Sequence, residues 1–209
     1  MLIIGAKGFA KELLAVIIKQ NPAAELCFYD DISQDLPDEL YRKYPVIRTP
    51  IDAEAYFKSK NQSFVLGVGK PSVRRILFQK FVALGGQPAN IVADNACIGN
   101  FGNVIGRGVS ILSNVVVETD NLIGDGCLIH VGGFISHDTE IGEFCEVSPF
   151  VKLLGNVKIG NLCSLGTGCI ILPKVRIGDS VTVGAGAVVT KDVADNAIVV
   201  GVPAKPLIK

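Results

Sequence analysis

The residues best suited to acid–base chemistry are a histidine and the carboxylate that follows it. His137 precedes Asp138, and the chain has only one other histidine, His130. An imidazole can accept a proton near neutral pH, and an adjacent carboxylate stabilises the imidazolium that forms. From these residues alone, a general base and an ordinary surface histidine remain equally open.

The half of the chain that carries this pair is a hexapeptide repeat. Aliphatic residues recur at every sixth position, without an insertion, at Ile105, Ile111, Val117, Ile123, Ile129, Ile135, Ile141, Val147, Leu153, Ile159, Leu165, Ile171, Ile177, Val183 and Val189. A period of six is typical of a parallel β-helix, in which three hexapeptides form one triangular coil and the aliphatic side chains fill its interior. The repeat therefore predicts a β-helix over the second half.

A coil of about 18 residues places residues 18 apart side by side, about 4.8 Å from each other. The columns predicted in this way are Thr119, His137, Gly155, Pro173 and Lys191; Asp120, Asp138 and Asn156; and Val131, Pro149, Thr167 and Ala185. Gly155 thus lies beside His137, where its backbone N–H could stabilise a developing oxyanion. A hexapeptide-repeat carbonic anhydrase is disfavoured, because two histidines cannot supply three zinc ligands.

The first half alternates strand-like and helix-like segments, which predicts a small parallel sheet of the Rossmann kind. The predicted strands are 2–4, 26–29 and 63–66, and the predicted helices are 9–19, a shorter one at about 52–59, and one that Pro71 opens and Gly85 ends. This last helix is expected to turn Val73, Ile76, Leu77, Phe81 and Leu84 toward the core. A change in composition near residue 88 predicts two domains, 1–88 and 89–209.

Composition and charge exclude several classes of protein. Lys plus Arg and Asp plus Glu both total 20, and this balance argues against a nucleic-acid-binding or anionic-membrane surface. No apolar run reaches the roughly 18 residues of a membrane span. The apolar start, 2–5, is too short for a signal peptide, so we expect a cytoplasmic protein. The six cysteines contain no CxxC pair and are expected to be reduced, with Cys127, Cys145 and Cys163 packed inside the β-helix; a metal cluster is the weaker alternative.

Several motifs together resemble the NeuD/PglD-type bacterial sugar acetyltransferases. They are Ser136-His-Asp-Thr-Glu-Ile-Gly-Glu-Phe-Cys-Glu-Val-Ser-Pro149, Gly155-Asn-Val-Lys-Ile-Gly160, Gly201-Val-Pro-Ala-Lys205, Gly5-Ala-Lys-Gly-Phe-Ala10, Asp30-Asp31 and Gly67-Val-Gly69. The resemblance covers essentially the whole chain. It implies a nucleotide-sugar-binding N-terminal domain followed by a trimeric, left-handed β-helix that transfers acetyl from acetyl-CoA.

The resemblance also assigns residues to roles. It makes His137 the catalytic base with Asp138 as its partner, and it implies a nucleotide-sugar site formed by Lys7, Gly8, Phe9, Asp30, Asp31 and Gly69. Acetyl-CoA is expected to contact Glu146, Gly155, Thr167, Ala185 and Lys205, and no metal is expected. Glu146 departs from the family pattern, which often has a second histidine there. His130 stands where Asn is commoner.

The resulting prediction is an acetyl-CoA-dependent enzyme that N-acetylates a UDP- or TDP-linked amino sugar for bacterial surface glycans. It is expected to be a homotrimer with active sites between subunits. O-acetylation of a sialic acid or related sugar is the alternative within the enzyme class. A non-catalytic trimer that binds sugar nucleotides is the alternative outside it, and only Glu146 favours that one.

Overall fold

The computed structural model describes residues 1–207 and begins with an α/β domain. Its elements are β1 (Leu2–Ile4), α1 (Gly8–Gln20), β2 (Cys27–Tyr29), β3 (Glu39–Leu40), β4 (Tyr44–Ile47), α2 (Pro50–Ser59), β5 (Ser63–Leu66), α3 (Pro71–Ala83) and β6 (Gln87–Pro88). The sheet order is β3-β4-β2-β1-β5-β6, and all pairs are parallel except the β3–β4 hairpin. Since β2 and β5 flank β1, the strand order reverses there, and the carboxyl ends of β1 and β5 form the usual ligand crevice of such a sheet.

The buried face of α3 agrees with the prediction at Phe81 and differs from it at Ile76. Pro71, Arg74, Phe78 and Phe81 are its buried residues, whereas Ile76 is 61% exposed. Arg74 can be fully buried because its guanidinium donates to the carbonyl oxygens of Leu66, Val68, Gly126 and Cys127. Leu77 and Leu84 pack against the core as predicted, but a periodicity argument assigns an arginine to the solvent side and therefore misses Arg74.

The rest of the chain is a left-handed parallel β-helix. Its strands are β7 (Ile91–Val92), β8 (Cys97–Ile98), β9 (Val104–Ile105), β10 (Ser110–Ile111), β11 (Val116–Val117), β12 (Leu122–Ile123), β13 (Leu128–Ile129), β14 (Phe134–Ile135), β15 (Glu140–Ile141), β16 (Glu146–Val147), β17 (Lys152–Leu153), β18 (Lys158–Ile159), β19 (Ser164–Leu165), β20 (Ile170–Ile171), β21 (Arg176–Ile177), β22 (Thr182–Val183), β23 (Val188–Val189), β24 (Ile198–Val200) and β25 (Lys205–Pro206). Strands one coil apart pair in parallel, for example Ile111 with Ile129 and Ile129 with Val147, which confirms the 18-residue coil. The coils begin at Ile91, before the predicted start of the repeat.

The strands form three faces of a triangular prism. The first face is β7, β10, β13, β16, β19, β22, β24 and β25; the second is β8, β11, β14, β17, β20 and β23; the third is β9, β12, β15, β18 and β21. The aliphatic repeat positions and the column Cys127, Cys145 and Cys163 lie in the buried interior. None of the helices within residues 1–207 is long and apolar enough to cross a membrane.

The α/β domain packs against the first face of the β-helix. Leu128 on this face is fully buried, and Arg74 of α3 donates to Gly126 at the start of the same coil. Phe78 of α3 meets Phe144 edge to face, with ring centroids 5.3 Å apart. The first face is therefore covered by the chain's own N-terminal domain in its early coils, up to β16.

Candidate active site

His137 and Asp138 form the expected pair at a corner of the β-helix. Nδ1 of His137 lies 2.7 Å from Oδ2 of Asp138, and both side chains are 55% exposed. Asp138 adopts a left-handed backbone conformation with φ of 56°, as do Asp120 and Asn156 at the equivalent corners of adjacent coils. An Nδ1–H donated to the carboxylate leaves Nε2 as the free acceptor, so the ring can take up a proton there.

Gly155 lies directly beneath the His137 ring. A Cβ built on Gly155 would come within 2.7 Å of both Cε1 and Nε2, closer than side chains tolerate. The glycine therefore makes room for the imidazole, a role that the sequence analysis did not assign to it. Its N–H makes no hydrogen bond to another residue within 1–207.

The position of this corner separates His137 from the α/β domain of its own chain. His137 lies between β14 of the second face and β15 of the third. In a triangular prism this corner is opposite the first face, which the α/β domain covers. One chain thus presents its candidate base and its candidate nucleotide site on opposite sides.

The candidate nucleotide site is a cavity of about 260 Å³ at the carboxyl ends of β1, β2 and β5. Its lining includes Gly5, Lys7, Tyr29, Asp31 and Val68. The helix α1 begins at the edge of this cavity with Lys7 as its N-cap, and no side chain caps its first N–H groups. Free N–H groups and the positive end of the helix dipole suit a phosphate.

The two adjacent aspartates differ in their capacity to bind a ligand. Asp30 accepts hydrogen bonds from the N–H groups of Ala6, Ile32 and Ser33 and from the Ser33 hydroxyl. These four donors occupy about all the lone pairs of a carboxylate. Asp30 therefore shapes the loops around the cavity and has little capacity left for a ligand.

Asp31 retains one free oxygen toward the cavity. Its Oδ2 accepts from the Tyr29 hydroxyl at 2.8 Å and from Lys80 at 2.9 Å, and its Oδ1 has no side-chain or backbone donor within residues 1–207. Burial alone would raise the pKa of Asp31, but the hydrogen bonds from Lys80 and Tyr29 outweigh it and lower that pKa. Asp31 is thus a fixed carboxylate that can accept from a ribose or a base.

The residues expected to contact acetyl-CoA do not form one groove on a single chain. Thr167 and Ala185 are exposed at the corner between the first and second faces, and Gly155 lies at the next corner, between the second and third. Glu146 lies on the first face, where its carboxylate approaches Gly69. Lys205 is exposed on β25, at the end of the first face.

Contacts between the two domains escaped the sequence analysis. Phe9 packs on His130 with ring centroids 5.3 Å apart, and Arg74 connects the loop after β5 to the β-helix. The one available signal was an arginine among the apolar positions of α3. Within residues 1–207, no group of three or more His, Cys, Asp or Glu side chains is arranged to hold a metal ion.

Comparison with known proteins gives matches to both domains. The family described as PglD N-terminal domain matches residues 1–81, and bacterial transferase hexapeptide (six repeats) matches residues 138–172. No curated protein is significantly similar to the chain.

Solved structures match nearly the whole chain. A variant of perosamine N-acetyltransferase from Caulobacter crescentus, in complex with CoA and GDP-perosamine, is 26% identical with a TM-score of 0.90, over 100% of this chain and 96% of that one. The acetyltransferase domain of PglB from Neisseria gonorrhoeae, also solved with acetyl coenzyme A, is 29% identical with a TM-score of 0.88, over 99% and 98%. WeeI from Acinetobacter baumannii is 28% identical with a TM-score of 0.88, over 99% and 98%.

The solved structures match the chain across both of its domains. The two family matches include the loop after β1 and the segment that begins directly after His137. Over its whole length, the chain therefore resembles the hexapeptide-repeat sugar acetyltransferases of the PglD/NeuD-like family.

Proposed function

We propose that the protein transfers the acetyl group of acetyl-CoA to the amino group of a nucleotide-linked amino sugar in the cytoplasm. The observation that carries this proposal is the His137–Asp138 pair, whose Nε2 is left free over Gly155. A solved relative was captured with CoA and GDP-perosamine, which supports a nucleotide-linked amino sugar as the acceptor class.

The proton transfer follows from this geometry. The acceptor amine attacks the thioester carbonyl, a C–N bond forms, and the C–S bond breaks with the thiol as leaving group. Nε2 of His137 takes the proton that the amine loses, and the imidazolium can return it to the departing sulfur. Asp138 holds the other ring nitrogen at 2.7 Å and stabilises the imidazolium. The Gly155 N–H is our candidate donor to the oxyanion.

The cysteines inside the prism are not candidates for an acetyl-enzyme intermediate. Cys127, Cys145 and Cys163 are fully buried in the prism. Hydrogen bonds with the neighbouring thiols, together with burial, raise the pKa of Cys145 well above its ordinary value. A protonated, inaccessible thiol is a poor nucleophile, so direct transfer between bound substrates is the simpler route.

We further propose a homotrimer in which each active site needs two subunits. His137 lies opposite the face that its own α/β domain covers, so a neighbouring subunit must bring a nucleotide sugar to it. A second copy can also place its Thr167 and Ala185 corner beside the Gly155 corner, which would complete a groove for acetyl-CoA. Phe101, Val104 and Leu122 are exposed apolar side chains near the start of the third face, and an assembly could bury them.

The activity is tested by thiol release from acetyl-CoA with a panel of UDP-, GDP- and dTDP-linked amino sugars. We expect His137→Ala to lower kcat by roughly 10²–10⁴-fold, the usual contribution of a general base, and Asp138→Asn to lower it less. Near-normal turnover in His137→Ala would refute the assignment of the base. Absence of turnover by the wild-type protein with every acceptor, with nucleotide binding intact, would favour the non-catalytic trimer.

The assembly is tested by mixing two inactive variants. His137→Ala lacks the base, and Gly8→Glu places a negative charge at the start of α1, where phosphate is expected to bind. If each site uses His137 from one subunit and the cavity of another, refolded mixtures of the two variants regain activity that neither has alone. A monomeric mass by light scattering, or mixtures that stay inactive, would refute a shared site.

A further inference from the structure

A second pair of ionisable side chains lies at the junction of the two domains, away from His137. Nε2 of His130 is 3.6 Å from Oε1 of Glu146, slightly beyond hydrogen-bond range. The side chain of His130 is 13% exposed and that of Glu146 is 24% exposed. The mechanism proposed above uses neither of them.

Neither side chain makes a hydrogen bond to another residue within residues 1–207, and the polar atoms of both remain accessible. In the other ion pairs within residues 1–207, the nitrogen and the carboxylate oxygen are 3.5 Å apart or less. The polar atoms of His130 and Glu146 are therefore available to bind a ligand from outside the chain.

The loops around the pair come directly from the candidate nucleotide cavity. Lys7 lines the cavity, and Phe9, two residues later, packs on the ring of His130. Val68 lines the cavity from the other side, and Gly69 follows it. A Cβ on Gly69 would lie 3.0 Å from Oε1 of Glu146, so the carboxylate lies against the loop that leads out of the cavity.

Arg74 supplies positive charge near this pair without satisfying it. Its guanidinium donates to four backbone carbonyls and makes no hydrogen bond to Glu146. Burial lowers the pKa of Arg74 to about 10, and the nearby charges of Cys127 and Glu146 act in the opposite direction. Arg74 is therefore a cation at neutral pH that balances the carboxylate and leaves both of its oxygens free to accept.

We propose that His130 and Glu146 bind hydroxyl groups of the acceptor sugar and determine which sugar is accepted. This inference rests on the proposed function, since it takes the ligand to be a nucleotide sugar. With its phosphates at the start of α1, such a ligand leaves the cavity between Phe9 and Gly69 and meets the pair. A sugar hydroxyl donates to Glu146, and His130 offers one ring N–H and one acceptor to its neighbours. Glu146 is thereby assigned to the acceptor, in place of the acetyl-CoA contact expected from sequence.

The test compares Glu146→Gln and His130→Phe with the wild-type protein in steady-state kinetics. Glutamine keeps the size of the side chain but removes the charge, and phenylalanine keeps the contact with Phe9 but removes both ring nitrogens. We expect the KM for the nucleotide sugar to rise about 10- to 100-fold in Glu146→Gln, the range for a hydrogen bond to a charged group, and less in His130→Phe. The KM for acetyl-CoA should stay within about twofold. Glu54→Gln, the same change on α2, is the matched control and should alter neither KM.

Calorimetry with GDP, UDP and dTDP, and with amino sugars linked to each, separates the sugar from the nucleotide. We expect the variants to bind the preferred free diphosphate as the wild-type protein does and to lose the extra affinity that the sugar adds. If Glu146→Gln raises the KM for acetyl-CoA and leaves the acceptor unaffected, the pair serves the other substrate and the inference is wrong. It is also wrong if both variants bind and turn over like the wild-type protein. Failure of the wild-type protein to bind any of these nucleotides would instead refute the proposed function.

Discussion

Replacing Gly155 with alanine tests whether turnover requires the position that the His137 ring has in the structure. The added methyl would lie 2.7 Å from Cε1 and Nε2 of His137. Carbon atoms in contact are ordinarily about 3.5–4.0 Å apart, so the ring must move by about 0.8 Å or more. Gly155 is not among the residues with a positive φ, so alanine fits the backbone itself.

The size of the effect follows from this displacement. A misplacement of about 1 Å in a catalytic group can cost about 10²-fold in rate. We therefore expect Gly155→Ala to lower kcat by about 10- to 100-fold, less than the loss from removing His137 altogether. The free energy of unfolding should change by less than about 1 kcal/mol, because the ring is 55% exposed and can turn into solvent.

The assay is thiol release at saturating substrates for Gly155→Ala, His137→Ala and the double variant, with thermal unfolding of each. In the His137→Ala background, the methyl has no ring to displace, so Gly155→Ala should cause little further loss of kcat. Additive losses would mean that Gly155 acts independently, for example through its N–H. Unchanged kcat in the single variant would refute the idea that the ring works from this position.

Three further predictions concern stability and acetyl-CoA. Arg74→Met should lower the free energy of unfolding in urea by about 2–4 kcal/mol, because buried carbonyls lose their donors, while the exposed neighbour Arg75→Met should change it by less than about 0.5 kcal/mol. The lowered pKa of Asp31 stabilises the fold above the ordinary aspartate pKa of about 3.9, and this contribution is lost as the pH falls through the lowered value. Asp31→Asn should therefore weaken the pH dependence of the unfolding free energy below about pH 4, by about 1 kcal/mol or less because the carboxylate is one-third exposed. Ala185→Trp should raise the KM for acetyl-CoA severalfold, and an unchanged KM would place the groove elsewhere.

The register of the β-helix could be predicted from sequence because its period leaves no alternative. A shift by one residue would turn every aliphatic side chain out of the prism, so the pairing of Ile129 with Val147 follows from spacing alone. The contact of His137 with Gly155 follows in the same way, since these residues are 18 positions apart.

The contacts between the domains could not be predicted, because periodicity does not say which face of the prism the α/β domain covers. Glu146 shows the consequence. It lies nine positions after His137, which is half a coil, so the spacing already implied that the two side chains leave the prism on different sides. Its approach to Gly69 and to His130, however, depends on how the first face packs. Arg74 escaped prediction for the same reason, since its partners come from both domains.

The proposed base lies at a corner of this repeat fold. The interior of each coil is filled with aliphatic and cysteine side chains, and each corner between the second and third faces has a left-handed residue, which is aspartate or asparagine in three consecutive coils. In two of these coils the preceding residue is Thr119 or Gly155, and only in the coil between them is it a histidine. The adjacent carboxylate and the glycine one coil later then orient its ring. The proposed catalytic base thus depends on two residues of one column, His137 and the glycine one coil later.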